Sequence, residues 1–211
     1  MEPFKVLRAI AAPLLRENVD TDIIIRIERL VGTSVRGKLG PYCFGSLRTL
    51  PDGRENPDFV LNREPYRQAQ ILLAGPNFAC GSSREGAVWA LMEAGIRCVI
   101  APSFGDIFFN NCFQNGLLPV VLDWPAVQML ARQIESDPAV RQVTVDLRRC
   151  LVVTPEGEEL PFHVEALRRE SMLAGLDGIG ATLAREPEIA AFQARDRTRR
   201  PWIHLPPGAH R

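Results

Sequence analysis

The chain has 211 residues, the length of one generous domain, and its 46% hydrophobic content is sufficient for an ordinary buried core. Its 25 Lys and Arg residues balance 25 Asp and Glu residues, so the formal net charge is zero and no nucleic-acid partner is expected. The longest uninterrupted apolar run, residues 9–15, is far shorter than the roughly 20 residues that cross a bilayer. We therefore expect a cytoplasmic protein with no membrane association.

The N-terminal part combines one predicted strand with a long irregular stretch. The strand covers residues 4–12 and leads into a polar loop at residues 16–22. Residues 32–63 are rich in Gly, Pro, Arg and Asp and show little periodicity. Irregular stretches of this length in compact domains are typically functional or mobile, so we predict a lid-like loop there.

The middle of the chain alternates between short apolar runs and amphipathic segments. Predicted strands cover residues 70–74, 97–101 and 117–122. Between and after them, predicted helices cover residues 103–114 and 125–136, and an earlier one has its apolar face at positions 88, 91, 92 and 95. Alternating strands and helices with short connections indicate parallel strands joined by crossover helices.

The last part indicates antiparallel strands followed by helices. Residues 142–147 alternate in polarity, and residues 151–153 and 160–162 flank a PEGE turn typical of a hairpin. Helices are predicted at residues 164–174 and 187–194. The fold class is therefore α/β, with a mainly parallel central sheet, crossover helices and an additional antiparallel β portion. We predict one domain, residues 1–194, and a partly ordered C-terminal tail, residues 195–211.

Cysteine and histidine usage limits the chemistry that this chain can perform alone. The five cysteines are odd in number, widely spaced and include no C-x-x-C pair, at positions Cys43, Cys80, Cys98, Cys112 and Cys150. Neither a disulfide framework nor a self-contained zinc or iron–sulfur site is expected, and most of these thiols are predicted to be small buried hydrophobes. With only three histidines in the chain, histidine is not expected to be a general base.

The most informative stretch is the turn between a predicted strand and a predicted helix at residues 77–85. Gly81 permits a sharp turn, and Ser82 followed by Glu85 fits the S-x-x-E capping box, so one interpretation is purely structural. The alternative is a carboxylate-binding pocket, because backbone N–H groups and the helix dipole favour an anion at such a turn. Arg84 is unfavourable beside that dipole unless it binds a carboxylate.

The same turn resembles a known family signature. Residues 81–85 (GSSRE) and 101–108 (APSFGDIF) resemble the mobile swivel domain of the aconitase superfamily. Residues 18–22 (NVDTD), 56–62 (NPDFVLN) and 175–180 (GLDGIG) resemble the small subunits of bacterial 3-isopropylmalate dehydratases. These blocks occur in order along nearly the whole chain. The resemblance implies a swivelling β/β/α domain.

The resemblance also implies a role for each residue of the motif. Ser82 would be the base that removes a carbon-bound proton, Arg84 would bind a substrate carboxylate, and Gly81 and Ser83 would complete the substrate-binding turn. A large subunit would carry a four-iron, four-sulfur cluster, and this chain would bind no metal. The implied reaction is a hydro-lyase isomerisation in leucine biosynthesis, from 2-isopropylmalate to 3-isopropylmalate through isopropylmaleate.

Two departures from the family pattern leave alternatives open. Gly86 stands where the family commonly has histidine, which is either a tolerated change on the helix surface or altered support for Arg84. Arg29 lies in a loop that in the family faces the variable tail of the substrate and commonly has an aromatic residue. It is either a solvated charge or a partner for a polar tail, which would favour a related malate such as citramalate or dimethylmalate.

Three further residues and two further functions complete the hypotheses. Asp20, Thr21 and Asp22 either provide acid/base carboxylates or hold backbone turns by side-chain hydrogen bonds. A non-catalytic carboxylate-binding module is the second functional hypothesis. A serine hydrolase is disfavoured because the sequence contains no G-x-S-x-G motif.

Overall fold

The computed structural model describes residues 1–31, 36–81 and 84–204. Its central feature is a parallel sheet with the strand order β2 (Ala11–Leu14), β3 (Ile71–Ala74), β4 (Cys98–Ala101) and β5 (Leu118–Val121). Every residue of β3 and β4 is buried. Continuous apolar runs are what a sheet covered on both faces requires, so these strands formed where they were predicted.

Three helices connect and cover the parallel strands. They are α3 (Glu85–Glu93), α4 (Asp106–Asn115) and α5 (Trp124–Glu135). Helix α3 packs against α4, and α5 packs against β2, β3 and β4. Helix α4 ends at Asn115, one residue after its predicted end, and Gly116 caps it in a left-handed conformation with φ of 91°. The predicted crossover architecture is confirmed.

A second, antiparallel sheet has the order β1 (Val6–Ala9), β6 (Val143–Asp146), β7 (Leu151–Val153) and β8 (Glu159–Pro161). The prediction of a single strand over residues 4–12 was wrong. The chain changes sheet at Ile10, so that Ala9 pairs with Val143 while Ala11 pairs with Ile71. Apolar periodicity identifies extended chain but does not reveal which sheet the chain joins.

The stretch predicted as a lid-like loop is irregular but contributes to the core. Its described part contains the short helix α2 (Gly45–Arg48) and two 3-10 turns, and Leu39, Phe44 and Phe59 are buried. The Glu93 carboxylate of α3 holds one end, accepting hydrogen bonds from the backbone N–H groups of Gly37, Leu39 and Gly40. Residues 36–63 therefore form a wall fixed by packing and hydrogen bonds.

The C-terminal region is more helical than predicted. Helix α6 (Ala166–Ala174) was expected, α7 (Gly178–Leu183) was not, and α8 (Glu186–Arg199) continues beyond the predicted end at residue 194. No residue of α7 or α8 is buried. The division into a domain of residues 1–194 and a tail of residues 195–211 remains a prediction.

Candidate functional site

The candidate site lies at the carboxyl edge of the parallel sheet, where the segments that follow β2, β3 and β4 meet. The Asn77 side-chain amide donates to Asn18 Oδ1 at 2.8 Å, and the Asn77 backbone N–H donates to Ser103 Oγ at 2.8 Å. These bonds join all three segments. Open α/β sheets bind their ligands at this edge, so Gly81 and Arg84, the described residues on either side of Ser82 and Ser83, stand where a binding cleft is expected.

The backbone at this edge is unusually constrained. Left-handed conformations occur at Asn18, Asn77, Ala79 and Gly81, with φ of 52°, 58°, 56° and 82°. The segment that follows β4 lies so close that a β-carbon on Gly105 would be 2.4 Å from the carbonyl oxygen of Ala79. Residues held in sparsely populated conformations cluster at functional sites, because the surrounding structure must maintain them.

The D-T-D loop forms one side of the site. Asp20 pairs with Cys80 as an isolated parallel bridge, and the Thr21 backbone N–H donates to the Cys80 carbonyl at 3.2 Å. The Asp20 carboxylate accepts from the Ile23 N–H at 2.8 Å and thereby caps helix α1 (Thr21–Ile24). Asp20 therefore performs the structural task that the turn hypothesis assigned to this loop.

Arg84 is the one residue of the predicted serine–arginine pair for which the structure gives side-chain contacts. Its guanidinium forms a 2.6 Å ion pair with the Asp22 carboxylate, and the Arg84 side chain is 28% exposed. Ser82 and Ser83 lie outside the described residues. A guanidinium has five N–H donors, so the pair with Asp22 leaves donors for a ligand carboxylate.

Helix α3 does not begin where the capping-box interpretation placed it, and Ser82 itself lies outside the described residues. The N-cap of α3 is Arg84, which makes no side-chain capping hydrogen bond, and the helix begins at Glu85. Glu85 Oε1 accepts from the Asn115 side-chain amide at 2.9 Å. Asn115 was not predicted to belong to the site; the structure buries it to 6% exposure, and a buried amide of this kind requires hydrogen-bond partners.

Asn115 supports the beginning of α3 from beneath. Its Oδ1 accepts from Trp89 Nε1 at 2.9 Å and from the Arg36 guanidinium at 3.3 Å. The Arg36 guanidinium carbon also lies 5.2 Å from the centre of the Trp89 ring. One buried amide thus connects α3, the end of α4 and the wall of residues 36–63.

Gly86 is not a helix-surface residue, contrary to one of the two interpretations of this position. It is buried, and a β-carbon added to it would lie 2.4 Å from Leu30 Cδ2. Leu30, in the same loop after Asp22 as Arg29, therefore occupies the space beside Gly86. The loop that departs from the family pattern at Arg29 packs on Gly86 through Leu30, not through Arg29 itself.

Arg29 is exposed and stacks on an aromatic residue. Its guanidinium carbon lies 4.0 Å from the centre of the Tyr42 ring. A cation over an aromatic face at an exposed site contributes on the order of 0.5–1 kcal/mol. Tyr42 was not identified from the sequence, because nothing in residues 32–63 indicates which residue faces Arg29.

Burial makes most of the thiols unreactive. It raises the pKa of Cys43 to about 12 and also raises the pKa of Cys98 and Cys112. Cys80 and Cys150 are half-buried. Within residues 1–31, 36–81 and 84–204, no group of three or more His, Cys, Asp or Glu side chains could hold a metal ion.

Among the helices that the structure describes, none is long and apolar enough to cross a membrane.

Comparison with known proteins identifies two family segments in the chain. Residues 1–125 match the aconitase C-terminal domain, and residues 179–204 match the C-terminal domain of 3-isopropylmalate dehydratase small subunits. The first match and the structural neighbour described below confirm the predicted fold class.

Curated relatives match over nearly the full length. The chain is 54% identical to the 3-isopropylmalate dehydratase small subunit of Rhodospirillum centenum, over 96% of this chain and 98% of the relative. It is 53% identical to that of Cupriavidus necator, over 97% and 99%. A solved structure of 3-isopropylmalate dehydratase from Methanocaldococcus jannaschii is 26% identical, with a TM-score of 0.63 over 88% of this chain and 98% of that one.

Proposed function

Because the chain belongs to the family of 3-isopropylmalate dehydratase small subunits, we propose that it provides the proton-removing base and a carboxylate-binding arginine to a dehydratase. The observation that carries the proposal is the Arg84–Asp22 pair at the carboxyl edge of the parallel sheet. The proposed reaction is the hydro-lyase isomerisation of 2-isopropylmalate, a step of leucine biosynthesis in the cytoplasm.

Arg84 is proposed to bind a carboxylate of the substrate. Its side chain is only 28% exposed, so a bound carboxylate would meet the guanidinium in a partly desolvated place, where charge-assisted hydrogen bonds are strong. Asp22, at 61% side-chain exposure, holds the guanidinium in position by one ion pair. Substrate positioning of this kind lowers the entropic part of an activation barrier.

Ser82 is proposed to be the base, on the strength of the GSSRE resemblance and of its place in the sequence between Gly81 and Arg84. The base takes the carbon-bound proton, the electron pair of that C–H bond forms the double bond, and the hydroxyl leaves from the adjacent carbon. Water then adds back with the opposite regiochemistry. A four-iron, four-sulfur cluster on the large subunit would supply Lewis-acid chemistry for the hydroxyl.

The large subunit is proposed to cover the C-terminal helices. The described residues of this region present seven exposed large apolar side chains: Leu167, Ile179, Leu183, Ile189, Phe192, Trp202 and Ile203. A cavity of about 870 Å³ lies between α4, α6, α7 and α8. An isolated helix of this length is marginal in water, so α8 is expected to gain its stability from a partner. The segment that matches the small-subunit family, residues 179–204, falls on this same surface.

The test is turnover by a reconstituted heteromer under anaerobic conditions. Ser82→Ala is expected to lower kcat by about 10²–10⁴, the usual contribution of a general base, while co-purification with the large subunit is retained. Arg84→Lys is expected to raise KM for 2-isopropylmalate about tenfold, since lysine cannot form a bidentate contact. Ser136→Ala at the end of α5 and Arg54→Lys at an exposed ion pair are matched controls.

Three results would refute the proposal in different ways. Full turnover by the Ser82→Ala heteromer would remove this serine as the base. If the wild-type heteromer assembled but failed to turn over 2-isopropylmalate and converted citramalate or dimethylmalate, the substrate assignment would be wrong. An assembled heteromer inactive on all three would favour the non-catalytic carboxylate-binding module.

A further inference from the structure

The amide of Asn115 uses its full hydrogen-bonding capacity. Its NH₂ group donates to Glu85 Oε1 and to the Asn111 carbonyl, both at 2.9 Å. Its oxygen accepts from Trp89 Nε1 at 2.9 Å and from the Arg36 guanidinium at 3.3 Å. An amide has two N–H donors and an oxygen with two lone pairs, so every position is occupied. The amide has one orientation, because reversing it would set its oxygen against two acceptors and its NH₂ group against two donors.

The charges on either side of the amide favour the same orientation. The Asn115 oxygen faces the cationic Arg36, and its NH₂ group faces the anionic Glu85. Asn115 is 6% exposed, whereas Glu85 and Arg36 are exposed residues. One buried dipole thus joins two surface charges, and neither charge has to be removed from water.

The first turn of α3 needs such support because it lacks an ordinary cap. Arg84, its N-cap residue, makes no side-chain capping hydrogen bond. Glu85 and Trp89 are four positions apart, so their side chains share one face of the helix and reach the same amide. Asn115 therefore clamps one complete turn of α3 to the last turn of α4.

Arg84 is joined to this clamped turn through its backbone. It directly precedes Glu85, and its carbonyl accepts from the Ala87 N–H at 3.0 Å. At its other end, the Arg84 guanidinium is paired with Asp22. The ion pair can hold the guanidinium in the geometry that a substrate carboxylate requires only if the backbone that carries the side chain is fixed as well.

We infer that Asn115 is a positioning residue for the proposed carboxylate site: by clamping the first turn of α3 to α4, it fixes the backbone that carries Arg84. This inference rests on the proposed function. Asn115 acts without touching the substrate, so loss of the clamp should weaken substrate binding and raise KM while the chain remains folded. The bond from Arg36 extends the clamp to the wall of residues 36–63.

The test exchanges the two polar groups of the Asn115–Glu85 hydrogen bond. Asn115→Asp keeps oxygens for Trp89 and Arg36 but sets two carboxyl groups against each other, and like charges at this distance oppose each other. A hydrogen bond to a charged group corresponds to about tenfold or more in an equilibrium constant, and solvent at the exposed Glu85 weakens it. At pH 8, KM of the heteromer for 2-isopropylmalate should therefore rise about fivefold. Adding Glu85→Gln restores a donor and an acceptor in reversed order and should return KM to within about twofold of the wild-type value.

Three single variants accompany the exchange. Glu85→Gln alone keeps an oxygen that can accept from Asn115, so KM should change by less than about twofold. Thr154→Val is the matched control, because it removes a hydroxyl of a residue that is 3% exposed and accepts from the Glu158 N–H in the β7–β8 hairpin. It should lower the melting temperature and leave KM unchanged. Trp89→Phe removes the indole N–H alone and should raise KM about threefold, which tests the clamp if Asn115→Asp does not fold.

Hydrogen exchange in the isolated chain measures the clamp without turnover. The amides of residues 87–89 should exchange at least about fivefold faster in Asn115→Asp, because the first turn of α3 opens locally when its clamp is lost. Adding Glu85→Gln should return these rates to within about twofold of the wild-type values. If the wild-type heteromer assembled but turned over no alkylmalate, the exchange rates would still test the clamp, and the proposed function alone would be overturned.

Three outcomes would overturn the inference. The first is an unchanged KM in Asn115→Asp, whether or not the melting temperature falls, which would reduce Asn115 to a packing residue. The second is no recovery of KM or of the exchange rates when Glu85→Gln is added, which would show that the Asn115–Glu85 bond does not hold the turn. The third, if Asn115→Asp does not fold, is an unchanged KM in Trp89→Phe.

Discussion

Replacing Glu93 by glutamine should release one end of the wall formed by residues 36–63. The Glu93 carboxylate accepts backbone N–H groups from Gly37 at 2.6 Å, from Leu39 at 2.5 Å and from Gly40 at 3.2 Å. Glutamine is nearly isosteric, but it has one acceptor oxygen and its NH₂ group would face at least one of these donors. The substitution therefore removes the charge from every bond and leaves one or two donors unpaired.

The magnitude follows from the number of bonds lost. A hydrogen bond to a charged group contributes about 1.5–3 kcal/mol, and the contact is only half-buried, so we expect the free energy of unfolding to fall by about 2–4 kcal/mol. Denaturant unfolding of the isolated chain gives this quantity. Amide exchange at residues 37, 39 and 40 should accelerate more than exchange in β3 and β4, because the loss is local.

The control is Glu188→Gln, which makes the same chemical change on the exposed surface of α8. Surface substitutions of this kind usually change the free energy of unfolding by less than about 0.5 kcal/mol. If Glu93→Gln were as mild as its control, the carboxylate would not be what fixes the wall, and the packing of Leu39 and Phe44 would have to be sufficient.

Three other predictions concern the thiols, the C-terminus and the Arg84 pair. At pH 8 a thiol reagent should label no more than two cysteines of the folded chain, Cys80 and Cys150, because burial shields the other three and raises their pKa. All five should react after denaturation, and rapid labelling of a third cysteine in the folded chain would contradict the prediction. Truncation after Leu176 should change the free energy of unfolding by less than about 1 kcal/mol, since no residue of α7 or α8 is buried. The same truncation should abolish co-purification with the large subunit, and retained co-purification would place the interface elsewhere. Asp22→Asn should lower kcat/KM about tenfold, because Arg84 loses the ion pair that orients it. The ion pair is partly exposed, so the free energy of unfolding should fall by less than about 1 kcal/mol. A large loss of stability with unchanged kcat/KM would make the pair structural.

The parallel sheet was predictable because its signals are local. Residues 70–74 and 97–101 are apolar runs ended by Gly-Pro or Pro, and such runs identify buried strands without knowledge of their neighbours. The antiparallel hairpin was predictable for the same reason, from alternation and the PEGE turn. Helix α7 was missed because it is only six residues long and two of them are glycines, which disfavour a helix.

The parts of the site that could not be predicted depend on contacts between distant residues. Asp22 and Arg84 are 62 positions apart, and no local pattern links them. The same holds for the contact between Leu30 and Gly86, which are 56 positions apart, and nothing in the sequence indicates that the loop of Arg29 packs on Gly86. The beginning of α3 at Glu85 also could not be predicted, because the S-x-x-E pattern is equally compatible with a helix that begins earlier, directly after Ser82.

The passage of the chain from one sheet to the other at Ile10 has a consequence for the order of assembly on the ribosome. All strands of the parallel sheet have been synthesised by Val121, whereas β1 must wait for β6, which begins at Val143. A nascent chain would thus hold its first strand unpaired until the second sheet emerges. A fragment that ends at residue 125, where the aconitase-type match ends, would lack β6 and leave β1 without a pairing partner. Because an unpaired strand can pair with other chains, this fragment is expected to aggregate.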